Sequence, residues 1–351
     1  MVTEFKRAVQ AHAARYPLME PQDYGKLTYQ NHFGAEHLAS DEKQMLRRIR
    51  EEWEQISPEQ PYRVPEWIGG GLCRFHLNDE AEKDVAARVL VKLFCMTVKE
   101  GTAEAEGFAD KLFELEKLPV PGMREWLAQY RAAGCPPVRH SEAYREAYRP
   151  HYRLLKTEYA AAFPALLETA KLLKRKERVV VAVDGRCGSG KSTLARLMEQ
   201  VFSCSVFHMD DFYLPVGQRA ENWLEIPGGN MELDRFRKEV LEPVFKGQAV
   251  DYRPFDCGAG EYTPAQPVEP TALTVIEGSY SHHPALAGEY DLKLFVTCDK
   301  QEQLRRLKLR EGDYFPNFQR LWMPLEEQYI RLCGIENSDA MTVDTGVSFE
   351  F

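Results

Sequence analysis

The sequence predicts an α/β fold: a mainly parallel sheet flanked by helices, with a mainly helical region ahead of it. Three observations carry that expectation. Residues 179–193 read VVVAVDGRCGSGKST, an apolar run that ends in G-x-x-x-x-G-K-[ST]. From residue 178 onward, short apolar runs alternate with segments of helical period, the pattern of strand–helix–strand units. Ahead of residue 135 the apolar positions recur at helical spacing, as in 41–56 and 81–101.

Taken in order, residues 1–135 form the helical N-terminal domain, interrupted at 65–77 (PEWIGGGLCRFHL), where three glycines mark a turn beside a short strand. Cys135-Pro136-Pro137 sets the boundary, and 136–177 is a linker leading into a connecting helix. Tyr144, Tyr148 and Tyr152 recur every fourth residue there, a packing stripe that Pro150 breaks. Residues 178–351 are the second domain. Strands fall at 178–184, 204–209, 272–277, 291–297 and 341–344, and helices near 191–202, 231–246, 300–311 and 317–332.

Composition narrows the function classes. The chain has 351 residues, 44% hydrophobic and 28% charged, enough for two globular cores. A formal net charge of -9 argues against nucleic acid as the main partner. No apolar run approaches the roughly 20 residues that span a bilayer, and the N-terminus lacks a signal-type apolar core, so no membrane role is expected. Eight scattered cysteines without a C-x-x-C pair fit free thiols in a reducing cytoplasm. Self-association is compatible with this composition but is not specified by it.

The Gly-rich stretch is a phosphate-binding loop by its chemistry. Gly185, Arg186, Cys187, Gly188, Ser189, Gly190, Lys191, Ser192 and Thr193 would bind a nucleotide: backbone amides curl around the phosphates and Lys191 reaches them. The Ser192 hydroxyl is a Mg²⁺ ligand in such loops. Cys187 reads as a small residue that fits the loop.

Phosphoryl transfer also needs carboxylates and cations around the loop. The second strand ends in HMDDFY, and Asp210 is the candidate general base or hydroxyl-orienting group, with Asp211 behind it. The strand LTVIEG ends in Glu277, the expected Mg²⁺-associated carboxylate. Arg306 and Arg310, one turn apart on 300–311, would clamp phosphate charge from a mobile lid. The long insert 214–270 holds Tyr252, Arg253 and Asp256, which with Tyr213 would form a substrate wall. His282 and His283 diverge along an extended segment and read as structural. His32, Glu36 and His37 match no zinc motif.

The loop GRCGSGKST, the DDFY after strand two, the IEG after strand three and the arginine-rich helix resemble the uridine kinase and phosphoribulokinase family of P-loop kinases. WMPLEEQY (322–329) is similar to a W-x-P-L-E stretch in bacterial relatives labelled uridine kinase. The likeness covers about residues 178–345 and implies a P-loop kinase fold that uses ATP and Mg²⁺ to phosphorylate a hydroxyl of a small molecule. It implies Lys191 and Ser192 for phosphate and Mg²⁺, Asp210 as acid/base, Glu277 with the metal, and Tyr213 as a substrate contact. A nucleoside is the acceptor it favours, with a sugar, polyol or vitamin alcohol as the alternative. The insert YRPFDCGAGEYT departs from the nucleoside-kinase pattern, having an Arg after the Tyr and no His. A regulatory P-loop NTPase acting through a protein partner is the third reading.

Overall fold

The computed structural model describes residues 2–35, 41–100, 107–286, 288 and 290–346. By its internal packing the chain divides into two units, Met1–Phe163 and Pro164–Val347.

The first unit is helical around a small sheet. It contains α1 (Val2–Arg15), α2 (Pro21–Phe33), α3 (Glu42–Trp53), β1 (Glu66–Gly69), β2 (Leu72–His76), α4 (Lys83–Glu100), α5 (Phe108–Glu116), α6 (Met123–Ala132), α7 (Glu142–Tyr148) and β3 (Tyr152–Lys156). The glycine run turns β1 back onto β2, with Gly69, Gly70 and Gly71 all at positive φ. β2 then pairs with β3 in an antiparallel sheet of order β1-β2-β3. The stretch 136–177 is therefore more than a linker, because it supplies a helix and the third strand. Arg149, at φ 43, ends α7 just before Pro150. The tyrosine stripe packs as expected: the Tyr16 ring lies 5.2 Å from Tyr144 and 4.8 Å from Tyr148. Glu36 and His37 lie outside the described residues.

The connecting helix α8 (Thr157–Arg175) carries Pro164 in its interior, and the division between the units falls at that residue. The second unit follows with β4 (Val179–Gly185), α9 (Lys191–Phe202), β5 (Ser205–His208), α10 (Leu233–Phe236), α11 (Glu242–Lys246), β6 (Val250–Tyr252), β7 (Phe255–Asp256), β8 (Glu261–Tyr262) and β9 (Gln266–Val268). It closes with β10 (Leu273–Glu277), β11 (Leu292–Thr297), α12 (Lys300–Glu311), α13 (Phe315–Asn317), α14 (Met323–Leu332) and β12 (Met341–Asp344). Five strands form one sheet of order β12-β11-β4-β10-β5, and every pairing in it is parallel. All seven residues of β4 are buried, as a central strand covered on both faces requires. The sheet and its flanking helices match the sequence expectation strand for strand. The chain runs from β4 through α9 to β5 at one edge, returns to place β10 between them, and then crosses to β11 on the other side of β4. The carboxyl ends of β4 and its two neighbours thus frame the crevice where such sheets bind ligands.

Candidate functional site

The loop between β4 and α9 takes the shape its glycines permit. Gly185 has φ +145, and a Cβ there would stand 2.1 Å from the Val296 carbonyl oxygen. Gly188 has φ +74, with Leu307 2.9 Å from where its Cβ would be. Both positions exclude a side chain for steric as well as conformational reasons. No side chain caps the start of α9, whose N-cap is Gly190. Its first amides therefore face the crevice with their donors available to an anion. The Lys191 ammonium bridges the loop, 2.8 Å from the Gly185 carbonyl oxygen and 3.1 Å from that of Arg186.

Two residues separated by 85 positions meet at the helix start. The Ser192 hydroxyl lies 3.2 Å from both carboxylate oxygens of Glu277. Glu277 ends β10 opposite Val183 of β4 and His208 of β5, and it is 5% exposed. One hydroxyl beside one carboxylate is a hard-oxygen donor set that fits Mg²⁺, which completes its shell with water and phosphate oxygens. Such an ion would neutralise charge on a bound polyphosphate. Among the described residues, no three His, Cys, Asp or Glu side chains gather as a metal cage.

His208 is a member of this cluster that sequence reasoning missed. Its Nδ1 is 2.6 Å from Glu277 Oε1, and this hydrogen bond holds its pKa above the ordinary imidazole value despite partial burial. The only signal was its place at the end of an apolar strand.

The HMDDFY segment folds as a 3₁₀ turn at Met209–Phe212. Asp210 is exposed at the crevice, and its carboxylate faces the Tyr213 hydroxyl, whose pKa is driven up by burial and then by Asp210. Asp211 turns the other way and accepts the Tyr252 hydroxyl at 2.9 Å. Burial raises its pKa. The two adjacent carboxylates thus have different partners, and it is the turn of about 120° per residue in the 3₁₀ segment, not the alternation expected of a strand end, that separates them.

Three residues of the expected substrate wall are committed to partners within the protein. Tyr252 is 6% exposed, with its ring stacked on Phe212 and its hydroxyl tied to Asp211, so it belongs to the core. Asp256 is spent on its own hairpin: Oδ1 accepts the amides of Gly258 at 2.7 Å and Ala259 at 3.1 Å. Arg253 lays its guanidinium 5.4 Å from the Tyr262 ring centre. Tyr213 is the member of the set that remains at the crevice.

The structure also separates the arginine pair. Arg306 bonds Glu302, the Ser189 carbonyl at 3.3 Å and the Thr345 hydroxyl at 2.8 Å, so it braces the phosphate loop from outside. Arg310 instead pairs with Glu311 and lies 5.6 Å from the Phe318 ring centre. They share a helix but have different partners, so they do not form a two-pronged clamp here. The helix α12 itself packs on the loop: Gln303 donates to the Cys187 carbonyl at 2.9 Å, and buried Leu307 lies against Gly188.

The WMPLEEQY stretch proves to be the loop's second brace. Glu326 Oε2 accepts the Cys187 amide at 2.8 Å. Glu327 holds the Arg186 guanidinium at 2.6 and 3.0 Å. Tyr329 donates to buried Asp184 at 2.7 Å. One turn of α14 thus fixes Asp184 in β4 and both Arg186 and Cys187 in the loop. Cys187 is buried, and that burial pushes its thiol pKa up, consistent with a packing role.

No family model matches the sequence, and no curated protein matches it. Solved structures similar to part of the chain include one described as a possible uridine kinase from Bacillus stearothermophilus, at 18% identity and a TM-score of 0.39, covering 50% of this chain and 96% of that one. Another, provisionally described as a fructose transport system kinase from Silicibacter sp. TM1040, has 21% identity and a TM-score of 0.42, covering 51% and 97%. A deoxyadenosine kinase from M. mycoides with bound dATP has 13% identity and a TM-score of 0.25, covering 48% of this chain and 91% of its own.

Proposed function

We propose that the second unit is a Mg²⁺- and ATP-dependent phosphotransferase acting on a hydroxyl of a small molecule. The observation that carries this reading is the meeting of Ser192 with Glu277, at 3.2 Å, beside the uncapped start of α9 and within the crevice that Asp210 faces. In the reaction the acceptor oxygen bonds to the γ-phosphorus while the bond from phosphorus to the bridging β,γ-oxygen breaks. ADP leaves, and the acceptor proton passes to Asp210. Loop amides and Lys191 hold the phosphates in place. Ser192 and Glu277 would hold Mg²⁺, which supplies charge neutralisation when bound.

A nucleoside is the acceptor that the sequence resemblance favours. The loss of Tyr252 from the wall weakens its support and raises that of a sugar or polyol. The test is ADP production from Mg·ATP across nucleosides, sugars, polyols and vitamin alcohols, with Lys191→Ala as blank. Acceptor-dependent turnover that Asp210→Asn removes supports the reading. Hydrolysis indifferent to every acceptor, but lost in Lys191→Ala, contradicts it and points to a regulatory NTPase instead.

A further inference from the structure

Glu277 ends a buried strand, and its two carboxylate oxygens are held unequally. Its register neighbours in the sheet are Val183 on β4 and His208 on β5. Side chains at one register level of a sheet project to the same face. Glu277 therefore has an apolar side chain on one flank and an imidazole on the other. His208 Nδ1 lies 2.6 Å from Oε1. The Ser192 hydroxyl lies 3.2 Å from Oε1 and 3.2 Å from Oε2. An ionised carboxylate only accepts hydrogen bonds, so Nδ1 is the donating nitrogen of the ring. Oε1 thus takes a short bond from the imidazole and a share of the hydroxyl proton, while Oε2 takes only the other share.

The Glu277 side chain is 6% exposed, and that of His208 is 47% exposed. A carboxylate buried to this degree needs a donor to offset its lost hydration. Of its two donors, Ser192 is itself a candidate metal ligand, so the imidazole is the one outside the proposed coordination shell. A partner of that kind orients a metal-binding carboxylate, and its loss weakens metal binding although it never touches the ion. His208 also closes β5, and the turn that follows it carries Asp210. One short segment therefore holds both the support of the metal carboxylate and the residue facing the acceptor.

We propose that His208 is a positioning residue for the divalent cation: it pins Glu277 through Oε1 and leaves Oε2, beside the Ser192 hydroxyl, as the oxygen that meets the metal. This role rests on the metal placement in the phosphotransferase reading above, and it goes further by giving the two oxygens of Glu277 different tasks.

The test uses the full-length chain, Mn²⁺ as the metal probe and a non-hydrolysable ATP analogue, so binding is read without turnover. Mn²⁺ affinity in the presence of the analogue is measured by electron paramagnetic resonance. Analogue affinity in EDTA is measured by calorimetry. Both are determined for wild type, His208→Ala and His208→Asn. Asparagine places its amide nitrogen where Nδ1 stands and can donate the same bond. His208→Ala is expected to weaken Mn²⁺ about tenfold while metal-free analogue affinity stays within about twofold. His208→Asn should hold Mn²⁺ affinity within about threefold of wild type. Unchanged Mn²⁺ affinity in His208→Ala would overturn the proposal, because Glu277 would then need no support from β5. An equal loss of Mn²⁺ and metal-free analogue affinity would overturn it as well, since His208 would then act on the phosphates or on the strand. So would a His208→Asn protein as weak as His208→Ala, or a nitrogen directly bound to Mn²⁺ in pulsed spectra of the wild type. A wild type that binds the analogue but no Mn²⁺ with it removes the metal placement itself, and the positioning role with it. A lack of phosphoryl transfer in the acceptor panel is a separate result: it overturns the phosphotransferase reading and leaves these binding measurements intact.

Discussion

The two units handle charge in opposite ways. In the first, charged and polar groups are sealed inside and pair mainly with one another, though Glu66 Oε2 and both ring nitrogens of His76 lack a hydrogen-bond partner among the described residues. Arg74 is fully buried, with Nε and Nη2 on Gln30 Oε1 at 3.1 and 2.9 Å and its guanidinium over the Tyr152 ring. The chain of contacts continues from Tyr152 to His140 at 2.7 Å and from His140 to Asp23 at 2.7 Å. Glu66, opposite Arg74 across the β1-β2 ladder, takes the Tyr16 hydroxyl and lies 3.0 Å from His76. In the second unit the charges stand at the open ends of strands. Lys191 rests on loop carbonyls and Glu277 on a serine, partners that a polyphosphate and its metal would replace. Interior charges that pair with each other specify a structure, whereas crevice charges with exchangeable partners are equipped for chemistry.

Substitutions can break that comparison. The largest effect should come from Lys191→Ala or Asp210→Asn, each expected to lower acceptor-dependent turnover at least about 100-fold. Asp210→Asn should shift stability by no more than about 0.5 kcal/mol, because Asp210 is exposed. Steady-state kinetics and urea denaturation of the same samples measure the two effects. Arg74→Ala should do the reverse. Removing a buried cation from its network is expected to cost about 3–5 kcal/mol of stability, read by urea denaturation and circular dichroism. An Arg74→Ala protein as stable as wild type would mean that the network is dispensable.

Acid sharpens the same contrast. Burial lowers the His12 pKa to about 3 and that of His140 to about 4. Both imidazoles stay neutral when folded and take up a proton when unfolded below their ordinary value. Their stabilising contribution is full above about pH 6.5 and declines as pH falls toward the folded values. Going from pH 7 to pH 5 should cost about 2 kcal/mol for each histidine. Replacing both with Gln should flatten that slope in a series of urea melts. An unchanged slope would remove the two histidines as its origin.

Tyr252→Phe is the smallest test. It deletes the hydroxyl that bonds Asp211 and should cost about 1 kcal/mol of stability. Acceptor KM should stay within about twofold, because the ring lies in the core. A large rise in KM would restore Tyr252 to the substrate wall.

The sheet was legible because a central parallel strand must be apolar throughout, and Val179–Val183 shows that without help from distant residues. The loop was legible because its chemistry lies within one local spacing. The braces were not. Glu326 and Cys187 are 139 positions apart, and an acid on an amphipathic helix looks the same whether it faces water or a buried amide. The interior of the first unit was hidden for a similar reason. Arg74 and His76 alternate with Cys73 and Phe75 along β2, a pattern that reads as a polar solvent face, yet all four are buried. Tyr252 and Asp256 misled because aromatic and polar residues in a loop serve a core or a turn as readily as a ligand.

The central claim is that the crevice of the second unit moves a phosphoryl group rather than merely hydrolysing ATP. The most direct test is ³¹P NMR of a reaction holding Mg·ATP and the mixed acceptor panel, run with wild type and Asp210→Asn. Phosphoryl transfer gives a new phosphate-ester resonance that grows in step with ADP in the wild type and is absent in the variant. ADP accompanied only by inorganic phosphate in the wild type would contradict it.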